Sequence, residues 1–130
     1  MKKSWFFFFF FLLFKAMGGV PIDRSKRMSV TQQMVLEFEK RPRFHLAITP
    51  EGTRKPNPEW KKGFYFIATG AGVPIQLAYL DFGNKEMGIT EVFYPTGDEN
   101  ADLAHIYDFY RGIKAIKPEN FLIPTNPLTK

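Results

Sequence analysis

The order of apolar and polar residues along the chain predicts alternating strands and helices. A short apolar segment at Val20–Ile22 follows a glycine pair and predicts a buried strand. Ser29 and Gln32 have the spacing of a capping box. Apolar residues then recur on one face, which predicts a helix: Val30, Met34 and Phe38. This helix is predicted to end near Lys40, before Pro42. Phe44–Ile48 is again rich in apolar residues and predicts the next buried strand.

The same alternation continues through the second half of the chain. Residues 49–63 are polar with proline and glycine, which predicts a loop. Phe64–Thr69 predicts a short helix stopped by glycines, and Val73–Phe82 and Ile89–Tyr94 predict two further strands. A last helix is predicted to run through Lys114 because apolar residues keep helical spacing: Leu103, Ile106, Tyr107, Tyr110 and Ile113.

Strand–helix–strand order with short connections predicts an α/β fold, with a mostly parallel sheet flanked by helices. A chain of 130 residues has room for one such domain. We expect an apolar amino-terminal segment at 1–17, the α/β domain at 18–117, and an extended tail with several prolines at 118–130. In parallel sheets ligands bind beyond the carboxyl ends of the strands, so the functional residues are expected there.

The amino-terminal segment contains an unbroken run of ten apolar residues, Trp5–Phe14. A membrane-spanning helix needs about 20 such residues. The run therefore predicts a helix that is buried or lies in the membrane interface, with lysines at its edge. Lys2 and Lys3 before it also resemble the start of a signal peptide, which leaves open a small secreted domain whose amino terminus is cleaved. Lys15 interrupts the region where cleavage would occur.

Positive charge is concentrated in one half of the chain. Residues 1–62 hold thirteen Lys and Arg against five Asp and Glu, whereas residues 63–130 hold five against eight. This asymmetry indicates an anionic partner such as a membrane surface or a phosphorylated molecule. No nucleic-acid-binding motif accompanies it, so no nucleic acid is expected. The chain has no cysteine, which excludes disulfides, thiolate metal sites and cysteine nucleophiles.

The candidate chemistry lies in Thr49–Arg54, a turn that follows a predicted strand. Gly52 would let backbone amides approach a ligand closely, and the Arg54 guanidinium offers a planar fork for two phosphate oxygens. Glu51 could hold that guanidinium by a charge-assisted hydrogen bond. Asp23-Arg24 lies in an equivalent position after the first strand. The alternative is that both are ordinary surface ion pairs, each worth at most about 1 kcal/mol.

Two histidines are the only candidates for a general base near neutral pKa. His45 lies within a predicted strand, and His105 lies in the last predicted helix. Neither begins a His-x4-Asp motif, because the fifth residue after each is Pro50 and Tyr110, respectively. Metal-binding, nucleophile-elbow and dinucleotide-binding motifs are also missing from the sequence, so no metal site is expected. Spacing alone therefore predicts an α/β domain with an anion-binding edge.

Three short blocks resemble, in order, motif blocks of the glycerolipid acyltransferases, which include the 1-acyl-glycerol-3-phosphate acyltransferases. Gly19–Arg24 resembles the second block, Thr49–Arg54 the third, and Val73-Pro74-Ile75 the fourth. The third block usually begins with phenylalanine, so Thr49 is a departure. The blocks follow one another about 25 residues apart, as the family's blocks do.

The resemblance implies a glycerol-3-phosphate acyltransferase-like domain that acts in phospholipid biosynthesis. Such enzymes transfer an acyl group from acyl-CoA or acyl carrier protein to a lysophospholipid-type hydroxyl and need no further cofactor. By this resemblance the acceptor phosphate would be held by Arg24, Glu51, Gly52, Thr53 and Arg54, with Asp23 and Pro74 in supporting positions. The implied location is cytoplasmic, at the inner face of the membrane.

The family's catalytic base is the histidine of a His-x4-Asp block that precedes the second block. The seventeen residues before Gly18 contain neither His nor Asp. The expectation is therefore an acyltransferase that lacks its first block, from a truncated gene or fragment, and that is inactive alone. The other interpretation that stays open is a non-catalytic remnant that binds phosphate or lipid.

Overall fold

The computed structural model describes residues 28–53, 55–90 and 92–129. In these ranges it has three α-helices, one two-stranded sheet and two 3₁₀ turns. The elements in chain order are α1 (Val30–Lys40), α2 (Gly63–Ala71), β1 (Ala78–Asp81), β2 (Glu86–Ile89), α3 (Glu99–Arg111) and the 3₁₀ turns Pro118–Asn120 and Pro127–Thr129.

The predicted capping box at the start of α1 is confirmed. The Gln32 backbone N–H donates to Ser29 Oγ at 3.2 Å, and the Ser29 backbone N–H donates to Gln32 Oε1 at 3.1 Å. The helix ends where Arg41 becomes extended, because the residue before Pro42 is kept out of the helical region. Its buried residue is Met34, and the helix packs against α2.

Helix α2 confirms the short helix predicted at Phe64–Thr69. It extends to Ala71 and ends at Gly72, whose φ of +64° lies in the left-handed region that favours glycine. The Gly72 N–H donates back to the last carbonyls of the helix, at Ala68 and Thr69. The glycines that follow the apolar residues were therefore a sufficient signal to predict where this helix ends.

The described strands pair antiparallel, so the expectation of a mostly parallel sheet is not met in this part of the chain. β1 and β2 form a hairpin in which Ala78 lies opposite Ile89. Only four residues, Phe82–Lys85, connect the strands, and a parallel crossover needs a dozen or more. An isolated antiparallel bridge between Ile75 and Phe93 extends the same pairing. β1 lies within the strand predicted at Val73–Phe82, whereas β2 shares only Ile89 with the strand predicted at Ile89–Tyr94.

The strand predicted at Phe44–Ile48 is wrong. Residues 43–49 take no regular secondary structure, and Leu46 and Ile48 are 36 % and 42 % exposed. A strand needs a hydrogen-bonded neighbour, and the segment has none within the described ranges. The strand that was expected beside it, Val20–Ile22, lies outside the described residues, as does the apolar run Trp5–Phe14.

The core lies between α3, the segment before the hairpin and the loop that precedes α2. Leu103 and Ile106 of α3 are each 1 % exposed, and they form one cluster with Trp60, Leu77 and Tyr107. Helix α3 ends at Arg111, three residues before the predicted end. The chain after it is not simply extended, because it forms both 3₁₀ turns and packs Phe121 and Ile123 against this cluster. Within the ranges given above, no helix is long and apolar enough to cross a membrane.

Candidate functional site

The turn predicted to hold phosphate is a tight four-residue turn. The Gly52 backbone N–H donates to the Thr49 carbonyl at 3.2 Å, and Gly52 has a φ of +65°. A residue with a side chain is strained at this φ, which explains why glycine stands here. The Thr53 hydroxyl accepts a hydrogen bond from the Lys55 backbone N–H at 3.2 Å. Two consecutive candidate residues, Gly52 and Thr53, are therefore fixed at the exposed end of the turn.

The two ends of the loop that begins with this turn are joined by hydrogen bonds. The Lys61 backbone N–H donates to the Pro50 carbonyl at 2.8 Å. Asn57 Nδ2 donates to the Glu51 carbonyl at 2.9 Å, and Asn57 Oδ1 accepts from the Glu59 backbone N–H at 3.0 Å. The loop thus returns to its starting point, and Lys61 lies next to the turn although it is nine residues beyond Gly52.

Lys61 is a candidate binding residue that the sequence reasoning missed. A Cβ placed on Gly52 would lie 3.2 Å from Lys61 Cε and 3.4 Å from Lys61 Nζ. The ammonium group therefore lies close to the glycine, on an exposed side chain. An anion at the turn would meet a positive point charge there. The one signal available in the sequence was the Lys61-Lys62 pair immediately before α2.

Glu51 is a predicted site residue whose side chain is partly buried. Burial raises the pKa of its carboxyl above the ordinary value of 4.5. Its predicted partner Arg54 lies outside the described residues, and so do Asp23 and Arg24. The expected convergence of Arg24 and Arg54 on one cleft therefore stays a prediction.

The turn opens on a large apolar groove. Its volume is about 1370 Å³, and Glu51, Gly52 and Thr53 form part of its lining. Pro74, predicted to support the site, lines the same groove. Most of the wall is aliphatic or aromatic, contributed by residues that include Leu46, Ile48, Phe64, Ile75, Leu80 and Ile89. The structure thus brings together a polar turn, with Lys61 next to it, and an extended apolar surface.

The two histidines have different surroundings. His45 is exposed and lines the groove. His105 lies on α3, with its ring stacked on Phe93 at 5.0 Å between centroids and an interplanar angle of 23°. Asp108, one turn after His105, contacts the guanidinium of Arg111. Only His45 is therefore on the same surface as the turn.

A polar network, with one exposed ion pair and one buried hydrogen bond, attaches the start of α2 to the start of α3. Lys62 Nζ and Glu99 Oε1 lie 2.6 Å apart, and the Tyr65 hydroxyl donates to Asp102 Oδ2 at 2.8 Å. Burial and the bond to Asp102 raise the pKa of Tyr65 to about 12. Burial alone would raise the pKa of the Asp102 carboxyl, but donors from Thr96 and Tyr65 bring it below 3.8. The network fixes α2, which begins two residues after Lys61.

Among residues 28–53, 55–90 and 92–129, no three His, Asp or Glu side chains lie close enough together to hold a metal ion. The polar features of the site are therefore those of the turn, Lys61 and the network at the start of α2.

Comparison with known proteins identifies a family. A family model described as Acyltransferase matches residues 1–79, more than half of the chain. The matched range includes the turn at Thr49–Arg54, Lys61 and Pro74. No curated protein and no solved structure matches the chain.

Proposed function

The chain belongs to the acyltransferase family, and from this premise we propose that it binds the acceptor of a phospholipid-forming acyl transfer. The acceptor would be a lysophospholipid-type molecule, and the donor acyl-CoA or acyl carrier protein. The observation that carries the proposal is that the Thr49–Gly52 turn lines an apolar groove and has Lys61 beside it. A lysophospholipid has the same two parts, a phosphate and an acyl chain.

In the proposed complex, the phosphate of the acceptor would lie against Gly52, Thr53 and Lys61. Gly52 allows close approach because it has no side chain, and Lys61 supplies charge beside it. Arg54 is the next residue in the chain after Thr53, and its guanidinium would add a bidentate contact. We further propose that Arg24, with Asp23 next to it, completes the phosphate site.

The apolar wall of the groove would bind acyl chains. Each buried methylene contributes about 0.8 kcal/mol, so a long chain binds mainly through this surface. Ligand pockets for small molecules have volumes of about 300–1,000 Å³. At about 1370 Å³ the groove is larger, which supports a site that accommodates both the acceptor's chain and the acyl group of the donor.

Proton abstraction from the acceptor hydroxyl needs a general base, and the chain contains no His-x4-Asp motif to supply one. Attack of the acceptor hydroxyl on the thioester needs a base within hydrogen-bond reach, worth about 10²–10⁴-fold in rate. His45 lines the groove but belongs to no His-x4-Asp motif. We therefore propose that the 130 residues bind the acceptor without turning it over, and that turnover needs a His-x4-Asp segment in addition. A chain with a binding role alone is the second candidate function, and it uses the same residues.

We also propose that the protein acts at the cytoplasmic surface of the membrane. The support is the composition of the amino terminus, where Lys2 and Lys3 precede the ten apolar residues Trp5–Phe14. Aromatic side chains and lysines are typical of segments that lie in the interface. Such a location would place the groove near its lipid substrates.

The binding proposal is tested by calorimetric titration of the chain with 1-hexanoyl-glycerol 3-phosphate below its critical micelle concentration. Lys61→Ala is expected to weaken binding about tenfold or more, because a charge-assisted contact is lost. Lys40→Ala removes an equally exposed charge at the end of α1 and should leave the affinity unchanged. The phosphate-free ester 1-hexanoyl-glycerol should bind far more weakly. Equal binding of the two esters, or equal effects of the two lysine variants, would contradict the proposal.

A further inference from the structure

Trp60 is buried although most of its loop is exposed. Its side chain is 7 % exposed, whereas Glu59 before it and Lys61 after it are both exposed. The indole Nε1 donates to the Leu122 carbonyl at 3.0 Å, a contact between residues 62 positions apart. This bond joins the loop of the candidate site to the carboxyl-terminal tail (residues 118–129).

The tail and α3 surround the indole ring. Tyr107 and Tyr110 of α3 meet it edge-on, with ring centroids at 5.6 Å and 5.5 Å. Phe121 of the tail lies at 6.5 Å with an interplanar angle of 41°. The ring is therefore held by aromatic contacts and by a directional hydrogen bond, which together fix its orientation as well as its depth.

The residue after Trp60 is the one that reaches the candidate site. The Lys61 backbone N–H donates to the Pro50 carbonyl at 2.8 Å, and its side chain lies against Gly52. Because Trp60 and Lys61 share a peptide bond, the contacts that fix the indole also restrict the backbone of Lys61, whose N–H closes the loop. A displaced indole would move that donor and the backbone from which the Lys61 side chain extends.

The tail is attached on both sides of Leu122. Phe121 and Ile123 pack against the core cluster, and Arg111 Nη2 donates to the Pro124 carbonyl at 3.2 Å. These contacts hold the Leu122 carbonyl in place to accept from the indole. The tail is thus a fixed part of the structure around the loop.

We infer that Trp60 is a positioning residue and that the carboxyl-terminal tail, through it, holds Lys61 against the turn. The importance of this for acceptor binding rests on the proposed function. The positioning itself does not, because it concerns contacts within the chain. The inference extends the site to residues 118–129, which lie beyond the range matched by the family model.

The experiment compares Trp60→Phe with Phe109→Leu in the full chain. The first variant removes the indole N–H and keeps an aromatic ring. The second reduces packing on the same core, where the Phe109 ring contacts those of Tyr79 and Tyr110. Amide hydrogen exchange is measured without ligand at Lys61, whose N–H closes the loop, and at residues 34–40 of α1 as a reference.

Trp60→Phe should speed exchange at Lys61 roughly fivefold, the effect expected from one lost hydrogen bond, and leave residues 34–40 unchanged. Phe109→Leu should not alter Lys61 relative to α1. Phe121→Ala removes a tail contact to the indole ring and should reproduce the selective effect of Trp60→Phe. It replaces Trp60→Phe in the experiment if that variant does not fold. Equal acceleration of Lys61 and α1 would reduce Trp60 to a general stabilising residue and overturn the inference.

Titration with 1-hexanoyl-glycerol 3-phosphate then separates the two claims. A roughly fivefold loss of affinity in Trp60→Phe, with selective exchange at Lys61, supports both. Selective exchange in a chain that binds no ester supports positioning and refutes the acceptor site. Unchanged exchange and unchanged affinity in Trp60→Phe, with the unsubstituted chain binding the ester, refutes positioning and leaves the acceptor site standing.

Discussion

Replacing Tyr65 by phenylalanine removes one donor from the most buried charge among the described residues. Asp102 is 2 % exposed and accepts hydrogen bonds from Tyr65 Oη, the Thr96 backbone N–H and Thr96 Oγ1, each at 2.8 Å. A hydrogen bond to a charged group is worth about 1.5–3 kcal/mol. Both Thr96 donors remain in Tyr65→Phe, so we expect the free energy of unfolding at pH 7 to fall by about 1.5 kcal/mol, at the lower end of that range.

The measurement is urea denaturation followed by circular dichroism. Tyr79→Phe is the matched control, since it deletes the same atom from a half-buried tyrosine whose hydroxyl makes no hydrogen bond within the described ranges. It should cost less than about 0.5 kcal/mol. Equal effects of the two substitutions would show that the Tyr65–Asp102 contact does not stabilise the fold.

The pH dependence tests the same network from both ends. Because the pKa of Asp102 is lowered in the folded state, its contribution is present above the ordinary value of 3.8 and is lost as the pH falls below it. The pKa of Tyr65 is raised to about 12, so its contribution is present below pH 10 and is lost as the pH rises towards 12. The stability difference between the unsubstituted chain and Tyr65→Phe should therefore be largest between these limits. A difference that stays constant from pH 3 to pH 11 would refute the reasoning.

Two further predictions concern the site and its location. Gly52→Ala should lower the free energy of unfolding by about 1 kcal/mol or more, because alanine is strained at a φ of +65° and its Cβ would press on Lys61. Denaturation and ester titration should both detect it, and a neutral result would refute the role of the left-handed turn. The protein should be extracted from membranes by high salt or carbonate if Trp5–Phe14 lies in the interface. Release by detergent alone would contradict this.

The helices could be predicted because their signals are local. Ser29 and Gln32 cap α1 through bonds within one turn, and Pro42 ends it through a steric effect on its neighbour. Gly72 ends α2 in a conformation that glycine adopts without strain. These features depend on a few consecutive residues, so the sequence carries them whatever the rest of the chain does.

The strand arrangement was missed because pairing depends on the length and geometry of the connection. Gly83-Asn84 lies between the two apolar arms, and such a pair is a common hairpin signal. Asp81 accepts from both the backbone and the side chain of Asn84, which closes this connection tightly. Residues 83–88 lie between the two predicted strands, but in a sheet expected to be mostly parallel they were not interpreted as a hairpin connection.

The candidate site was predictable only in part. Glycine tolerates the left-handed conformation found at residue 52, and both Gly52 and Thr53 were among the predicted site residues. Lys61 reaches the turn through loop closure, and Trp60 reaches Leu122 across 62 positions. No periodicity indicates contacts of that kind, since they arise from how distant segments pack. The predicted roles of Arg24 and Arg54 remain predictions.

The most direct test of the central claim is an acyl-transfer assay paired with acceptor binding. The 130-residue chain is assayed with labelled acyl-CoA, and separately with acyl carrier protein, using 1-acyl-glycerol 3-phosphate as acceptor. We expect binding without turnover, and activity only after a segment with His-x4-Asp is joined ahead of Gly18. Lys61→Ala should then lower the activity of that longer chain about tenfold or more. Robust turnover by the 130 residues alone, abolished by His45→Ala, would contradict the account.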